Sequence, residues 1–268
     1  MTVSKAVVLA RGLGTRMRAE TGGTPLAPDQ ADMAAAGLKA MMPVGRPFLD
    51  HVIHGLADAG LDDICVVIGP EHGVVRDYYA RLARTRVRLV FAEQASPRGT
   101  ADAVYAARAF AGDDGFVVIN GDNLYPVAAC RALRMADGPA LVGFTREGLL
   151  RDGLIAPDRL ASFAVIDAPD NWLRRIVEKP DASWLAAAGA GFLVSMNCWR
   201  FDREIFDVIP TLPLSPRGEL ELPSAAQALV DRGVRFRVIP SDEGVLDLSR
   251  RADVVALQER LAGREVQL

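Results

Sequence analysis

The chain predicts a doubly wound, mostly parallel α/β sheet, and three observations carry that prediction. Its first apolar run, Ala6, Val7, Val8 and Leu9, is continuous rather than alternating, as a strand buried on both faces requires. Further short apolar runs then alternate with amphipathic helical stretches, the pattern of repeated strand–helix–strand units. Glycine-rich or polar loops close several of these runs, at the carboxyl ends where such a sheet keeps its ligand crevice. The fold class is therefore Rossmann-like.

In order along the chain, "DICVVIG" (63–69), "VRLVFAEQ" (87–94), "FVVING" (116–121) and "ALVGFT" (140–145) read as strands. Between them, "FLDHVIHGLADAG" (48–60) places Phe48, Leu49, Val52, Ile53 and Leu56 on one helical stripe, and "GTADAVYAARAFAG" (99–112) behaves in the same way. Later, "FAVIDA" and "LRRIVEKP" flank Pro169, Asp170 and Asn171 and predict a small β-hairpin excursion over the crevice. "GFLVSMNCW" reads as a strand, "ELPSAAQALVDRG" as a helix ending at Gly233, and "VRFRVIP" as a strand. The last helix is expected to take Ser249 as its N-cap and to run through "RRADVVALQERLAG". The stretch from Ala19 to Gly37, rich in Gly, Ala and Pro, is the candidate mobile surface segment. No repeat, low-complexity block or linker divides the chain, so residues 1–268 read as a single domain.

Composition narrows the function classes. Half of the 268 residues are apolar, enough for a sizeable core. Lysine plus arginine (31) nearly balance aspartate plus glutamate (34), and the net charge of −3 gives no bulk attraction to nucleic acid or an anionic membrane. Neither is expected as a partner. Cys65, Cys130 and Cys198 are far apart, odd in number and in no CxxC arrangement, which suggests reduced core thiols rather than a disulfide framework or a zinc site. No apolar stretch of membrane-spanning length and no signal-peptide pattern is visible, so a cytoplasmic protein is the expectation.

The chemistry concentrates in "LARGLGTRM" (9–17). Gly12 and Gly14 let the backbone turn sharply and bring N–H groups close to an anion, Thr15 adds a hydroxyl and Arg16 a permanent charge. A dinucleotide fingerprint would need a third glycine where Met17 stands, and no GK[ST] follows to make a Walker loop. Taken alone, the loop reads equally as a phosphate cradle or as a strand-ending turn. His51 and His54, three residues apart with no third ligand, read as structural, and the apolar residues of "DYYARL" as helix packing.

The remaining motifs decide between the two. "LARGLGTRM" with Lys39, "QASPRGTA" (94–101), "NGDNLY" (120–125), "EKP" (178–180) and "VLDLS" (245–249) occur in the order seen in sugar-1-phosphate nucleotidyltransferases. Over nearly its whole length the chain resembles the catalytic domain of that family. The resemblance implies an enzyme in which a sugar-1-phosphate oxygen attacks the α-phosphorus of a nucleoside triphosphate, releases pyrophosphate and forms an NDP-sugar-type product. It implies that Leu9, Ala10, Arg11, Gly12, Gly14 and Thr15 wrap the triphosphate, that Arg16 grips its β and γ phosphates, and that Lys39 meets the α or the attacking phosphate. By the same resemblance, Asp122 and Asp247 hold Mg2+, whose preference for oxygen ligands suits two carboxylates. Gln94 and Gly99 look like the base-reading pair, and Thr100 would cap the helix that follows. A glutamine amide that donates and accepts suits the N3–H and carbonyl of uracil or thymine. "RGTADAVY" also resembles adenylyltransferases, so UTP, dTTP and ATP all stand ahead of GTP. Glu178, Lys179 and Asn197 fall on the acceptor side.

Several positions depart from the family pattern. Arg11 replaces a small residue of the signature loop and either adds a phosphate contact or blocks one. The interval from Arg16 to Lys39 is longer than usual, room for a lid, and Ala40 stands where a proline is common. Phe163 and Ala164 replace a Tyr-Gly pair, and Asn197 replaces a glycine, so the acceptor stays open between an ordinary hexose-1-phosphate and another phosphorylated sugar or polyol. Relatives are often dimers or tetramers, and self-association is an expectation on that ground alone. No hexapeptide-repeat run is seen, so no second acyltransferase activity is expected. Two rival readings remain: a non-catalytic nucleotide-binding regulatory relative, which has no need of Arg16, Lys39, Asp122 and Asp247 together, and a GT-A-like glycosyltransferase using "GDN" as its metal motif, which has no triphosphate for "GLGTRM" to wrap.

Overall fold

A computed structural model describes residues 2–19, 25–160, 162–178, 180 and 191–268 of the chain. Its centre is a nine-stranded mixed sheet: β1 (Lys5–Leu9), β2 (Asp63–Ile68), β3 (Arg88–Glu93), β4 (Phe116–Asn120), β5 (Ala140–Phe144), β6 (Ala164–Asp167), β7 (Arg175–Val177), β8 (Leu193–Phe201) and β9 (Arg237–Ser241). Strands β4, β1, β2 and β3 lie side by side and parallel, with Leu9 opposite both Asn120 and Val67, and Ile68 opposite Glu93. Their carboxyl ends therefore line up on one edge. The continuous apolar run of β1 has the explanation its sequence suggests: Ala6 and Val8 pack into one core with Ile64 and Val66, while Val7 and Leu9 pack into the opposite core with Cys65 and Val118.

Helix Phe48–Asp58 buries the predicted stripe of Phe48, Leu49, Val52, Ile53 and Leu56 against the first core, which helix Arg251–Leu261 also covers. Helices Thr100–Ala106 and Leu222–Asp231 cover the second. The helix expected over 99–112 is two pieces, because the Ala107 N–H turns to Val104 O in a tight i→i−3 step before Arg108–Ala111 resumes. Ser249 is not the cap of the last helix. The Asp253 carboxylate accepts from the N–H groups of Ser249 (2.8 Å) and Arg250 (2.6 Å), and Arg250 holds the cap position. Within the expected mobile segment, Pro28–Ala36 is a helix closed by Gly37 at φ 75°, and Gln30 Nε2 ties it to Pro43 O at 2.8 Å. Residues 20–24 lie outside the described residues.

Strand β8 enters antiparallel and forks the sheet. Its second half pairs with β4, Trp199 opposite Val118, and its first half with β6, Leu193 opposite Ile166. Its other edge carries β5, which in turn pairs parallel with β9. The predicted hairpin forms as β6 and β7, so it extends the sheet through β8. The register against β5 shifts between Ser195 and Trp199, where Asn197 adopts φ 56°. Asparagine is one of few residues that tolerate this left-handed backbone.

Two polar groups are sealed in the first core. Asp50, fully buried, accepts from Arg46 Nε (3.0 Å), Tyr78 OH (2.8 Å) and Tyr79 OH (2.8 Å). Burial, then its hydrogen bond to Asp50, pushes the Tyr78 hydroxyl up to about 12. The tyrosines of "DYYARL" thus pack as expected, with hydroxyls that serve a buried carboxylate. His51 is buried with neither ring nitrogen bonded among the described residues, and burial pushes its pKa down to about 4. Cys65, Cys130 and Cys198 are buried free thiols.

Truncation in Asp50→Ala strands three donors, so urea unfolding should show a loss of about 3–5 kcal/mol, against about 1 kcal/mol for Tyr78→Phe. His51 gives a pH dependence of definite sign. The unfolded chain binds a proton at an ordinary histidine pKa that the folded chain refuses until about pH 4, so this contribution is complete above about 6.5. Below that it falls by up to about 1.4 kcal/mol per pH unit. Melting curves from pH 7 to 4 should therefore decline more steeply for the wild type than for His51→Leu.

Candidate active site

The aligned carboxyl ends of β4, β1 and β3 open into a cavity of about 360 Å3. From the loop after β1, Leu9, Ala10, Arg11, Gly12 and Thr15 line it, and Lys39 enters beyond the Pro28–Ala36 helix. Gln94, Gly99 and Thr100 contribute the wall beyond β3, and Asp122 the turn after β4. Most of the sequence-predicted nucleotide side is thus in one place. Gly14 stands behind the wall at φ 59°, where a Cβ would come within 2.9 Å of Gly37 Cα. It seats the helix that delivers Lys39. Met17, which broke the dinucleotide fingerprint, is fully buried in the first core.

The charged groups neutralise one another. Lys39 Nζ forms an ion pair with the Asp122 carboxylate, both partly exposed to the cavity. Asn123–Leu124 pairs antiparallel with Leu246–Asp247, and Leu248 N donates to Asp122 O at 2.9 Å. That two-strand clip is what brings two aspartates distant in sequence together. Asp247 accepts from Asn123 Nδ2 (2.9 Å) through one oxygen and pairs with Arg159 through the other. Burial, then the Asp122 charge, raises its pKa, against the Arg159 and Lys39 charges. Arg16 is exposed outside the cavity wall, with Nη1 3.4 Å from Ser249 Oγ at the end of the same clip.

Two carboxylates close enough for the Asp122 charge to act on Asp247 fit a divalent cation with oxygen ligands. Among the described residues no group of three or more His, Cys, Asp or Glu gathers for a metal. Asp122 and Asp247 are the two carboxylates such a cation could use, and the rest of its shell would have to come from oxygens outside the protein, as magnesium sites commonly arrange.

On the base side the structure revises two expectations. Gln94 is buried, and Nε2 donates to both Gly99 O (3.0 Å) and Asp102 Oδ2 (2.8 Å). Two acceptors fix the amide orientation. They also consume both of its protons, so Gln94 offers a ligand Oε1 only and does not donate and accept together. Thr100 does not cap its own helix, whose cap is Gly99; its Oγ1 accepts from Leu222 N at 2.9 Å at the start of helix Leu222–Asp231.

The acceptor side is more open. Glu178 is exposed and outside the cavity wall, near enough to Arg217 for its charge to raise that guanidinium's pKa after the larger effect of the Glu221 hydrogen bond. Lys179 lies outside the described residues. Asn197 stands at the β8 bulge; its Oδ1 accepts from Trp199 Nε1 at 3.2 Å, and Tyr125 OH fixes the neighbouring Met196 carbonyl at 2.6 Å. Sequence reasoning missed Arg159, Asn123 and Tyr125, whose partners are set by the clip and the bulge, and Glu219, which lines the cavity. Only the short polar turn "SPRGE" hinted at the last.

Gly99 sits at φ 112°, and a Cβ there would lie 2.4 Å from Leu220 O. Thermal unfolding of Gly99→Ala should show a loss of more than about 1 kcal/mol. Gly73→Ala, where a Cβ meets nothing, should leave stability near wild type.

Comparison with known proteins places these features. The nucleotidyl transferase family model matches residues 5–248. Glucose-1-phosphate thymidylyltransferase of Streptomyces antibioticus is 30% identical over 257 residues, 94% of this chain and 64% of that protein. The low-salt glycan biosynthesis nucleotidyltransferase Agl11 of Haloferax volcanii is 28% identical over 232 residues, 85% of this chain and 58% of its own length. The chain thus spans less than two thirds of these curated relatives. Among solved structures, a UDP-glucose pyrophosphorylase complexed with UDP-glucose superposes with TM-score 0.76 at 15% identity, covering 98% of this chain and 100% of that one. An inositol-1-phosphate CTP transferase from T. maritima gives 0.73 at 17%, covering 98% of each. At such identities the superpositions speak for the fold alone.

Proposed function

Since this chain belongs to the nucleotidyl transferase family, we propose that it transfers a nucleotidyl group from UTP, dTTP or ATP to a sugar-1-phosphate or similar phosphorylated acceptor. The observation that carries the reading is the convergence on one cavity of the Leu9–Thr15 loop, Lys39, the Gln94–Thr100 wall and Asp122. An acceptor phosphate oxygen forms a new bond to the α-phosphorus, the bond to the β-phosphate bridge breaks, and pyrophosphate leaves with that electron pair.

Two polyanions must meet in line, so catalysis rests on positioning and on charge neutralisation. Lys39 is placed for this work: its ammonium now faces Asp122, and a phosphate entering the cavity offers it a second anion. A single contact of this kind is worth about 4 kcal/mol at 4 Å in an effective dielectric of about 20, before desolvation. Arg16, exposed outside the cavity wall and held among the described residues only by a 3.4 Å contact to Ser249 Oγ, would swing onto the β and γ phosphates. Asp122 and Asp247 would hold Mg2+, which when bound supplies charge neutralisation and orientation of the phosphates. Gly99 and Gln94 face the base, and Glu178, Lys179 and Asn197 serve the acceptor.

Magnesium-dependent pyrophosphate release should be seen with at least one of the three triphosphates and a panel of sugar-1-phosphates and phosphorylated polyols. Asp122→Asn, Lys39→Ala and Arg16→Ala should each reduce kcat by about 100-fold or more. Silence of the wild type across the panel, with triphosphate still bound, would overturn the reading in favour of a regulatory nucleotide-binding protein.

A further inference from the structure

Arg11 is a buried charge with unfinished hydrogen bonding. Its side chain is 6% exposed and lines the cavity, yet Nε and Nη1 are buried and find no partner among the described residues. Among the described residues only Nη2 is engaged, at 3.4 Å from both carboxylate oxygens of Glu71. Leaving such donors unmet is costly, and orphaned groups in a cavity wall point to a ligand that meets them.

Strand order shows which part of the ligand is meant. Across the edge the order is β4, β1, β2, β3, so Asp122 stands at one end of the crevice and Gln94 at the other. Arg11 follows β1 but reaches Glu71 beyond the end of β2. Its guanidinium therefore lies over the Gln94 half, away from the Asp122 half where the phosphates react.

That half now presents a definite pattern. Gln94 Oε1 is an acceptor with no partner among the described residues, the Gly99 N–H donates to none of them, and Arg11 adds further donors. Donor, acceptor, donor is the complement of an imide edge, an N–H between two carbonyls, which uracil and thymine have. Guanine and cytosine would set an amino group against a donor or a ring nitrogen against the acceptor, and adenine has no carbonyl.

We propose that Arg11 is a specificity-determining residue that donates to a carbonyl of the nucleobase and, with Gln94 and Gly99, selects the oxopyrimidine triphosphates UTP and dTTP. The proposal rests on the nucleotide-binding reading of this cavity, but binding tests it without any chemical step.

Calorimetric titration of the full chain with UTP, dTTP, CTP, ATP and GTP in magnesium is the experiment, on wild type and Arg11→Met. The wild type should bind UTP and dTTP at least tenfold more tightly than the other three. Arg11→Met should weaken those two by about 10- to 100-fold, the worth of a hydrogen bond to a charged group, and change the others less than threefold. Equal weakening of all five, or no weakening, would overturn the proposal. Titration of wild type with 2-thio-UTP and 4-thio-UTP needs no variant to fold. Sulfur is the poorer acceptor, so both analogues should bind more weakly than UTP, and in a folded Arg11→Met one of the two penalties should vanish. Two analogues bound as tightly as UTP would also overturn the proposal. Selective binding without pyrophosphate release would leave the role of Arg11 intact and remove the catalytic reading; the converse would do the opposite.

Discussion

The parallel register of β4, β1, β2 and β3 is the constraint on which the rest depends. Leu9 sits opposite Asn120 and Val67, and Ile68 opposite Glu93, so these strands end nearly together. Each next residue is then delivered to the same edge without any long-range instruction of its own. Both faces of the sheet are covered, which holds that register: sliding β1 by one residue would exchange Val8 and Leu9 between two cores of different shape. The site is thus assembled by packing, and its polar residues need only occupy the positions that packing provides.

Within that frame, charge is balanced by long connections. Asp122 and Asp247 are brought together by the clip between Asn123–Leu124 and Leu246–Asp247, and each is met by one cation, Lys39 or Arg159. Without those cations two carboxylates in a half-buried corner would repel, and the Asp247 pKa is raised first by burial and then by the Asp122 charge. The same pairing makes the corner receptive. A phosphate could draw Lys39 away and leave the carboxylates in need of another positive charge, so under the proposed function entry of a triphosphate and of a divalent cation would favour one another.

What the sequence made legible follows the range of each signal. Continuous apolar runs and helical stripes are local, and they located β1 to β5 and the buried face of Phe48–Asp58. Gly14 and Gly99 were legible because their loops need backbone that other residues resist. The misreadings arose where a side chain served a remote element. Thr100 looked like the cap of its own helix and instead satisfies Leu222 N; Ser249 looked like a cap and yields to Asp253. Gln94 had two hydrogen-bonding faces in the sequence and keeps one in the structure, because the Gly99 carbonyl and Asp102, in the first turn of the next helix, take its two protons. Arg159 carried no local mark at all, since its partner Asp247 arrives only when the clip closes.

Asn197 shows how a departure in sequence can conserve geometry. A glycine in a strand bulge is used for its left-handed backbone, and Asn197 adopts φ 56° with only the modest strain that asparagine pays there. The Met196 carbonyl beside it is held by Tyr125, which also accepts from Asn120 N at 3.3 Å, so the bulge is tied to the turn that carries Asp122. The Asn197 carboxamide is in turn restrained by the Trp199 indole. The bulge thus takes the left-handed backbone a glycine would offer and carries an amide as well. If the proposed acceptor side is right, an acceptor with one more polar group than a plain hydroxyl ring could use that amide and a crowded one would have to avoid it, so acceptor choice would turn on side-chain chemistry at the bulge rather than on a different fold around it.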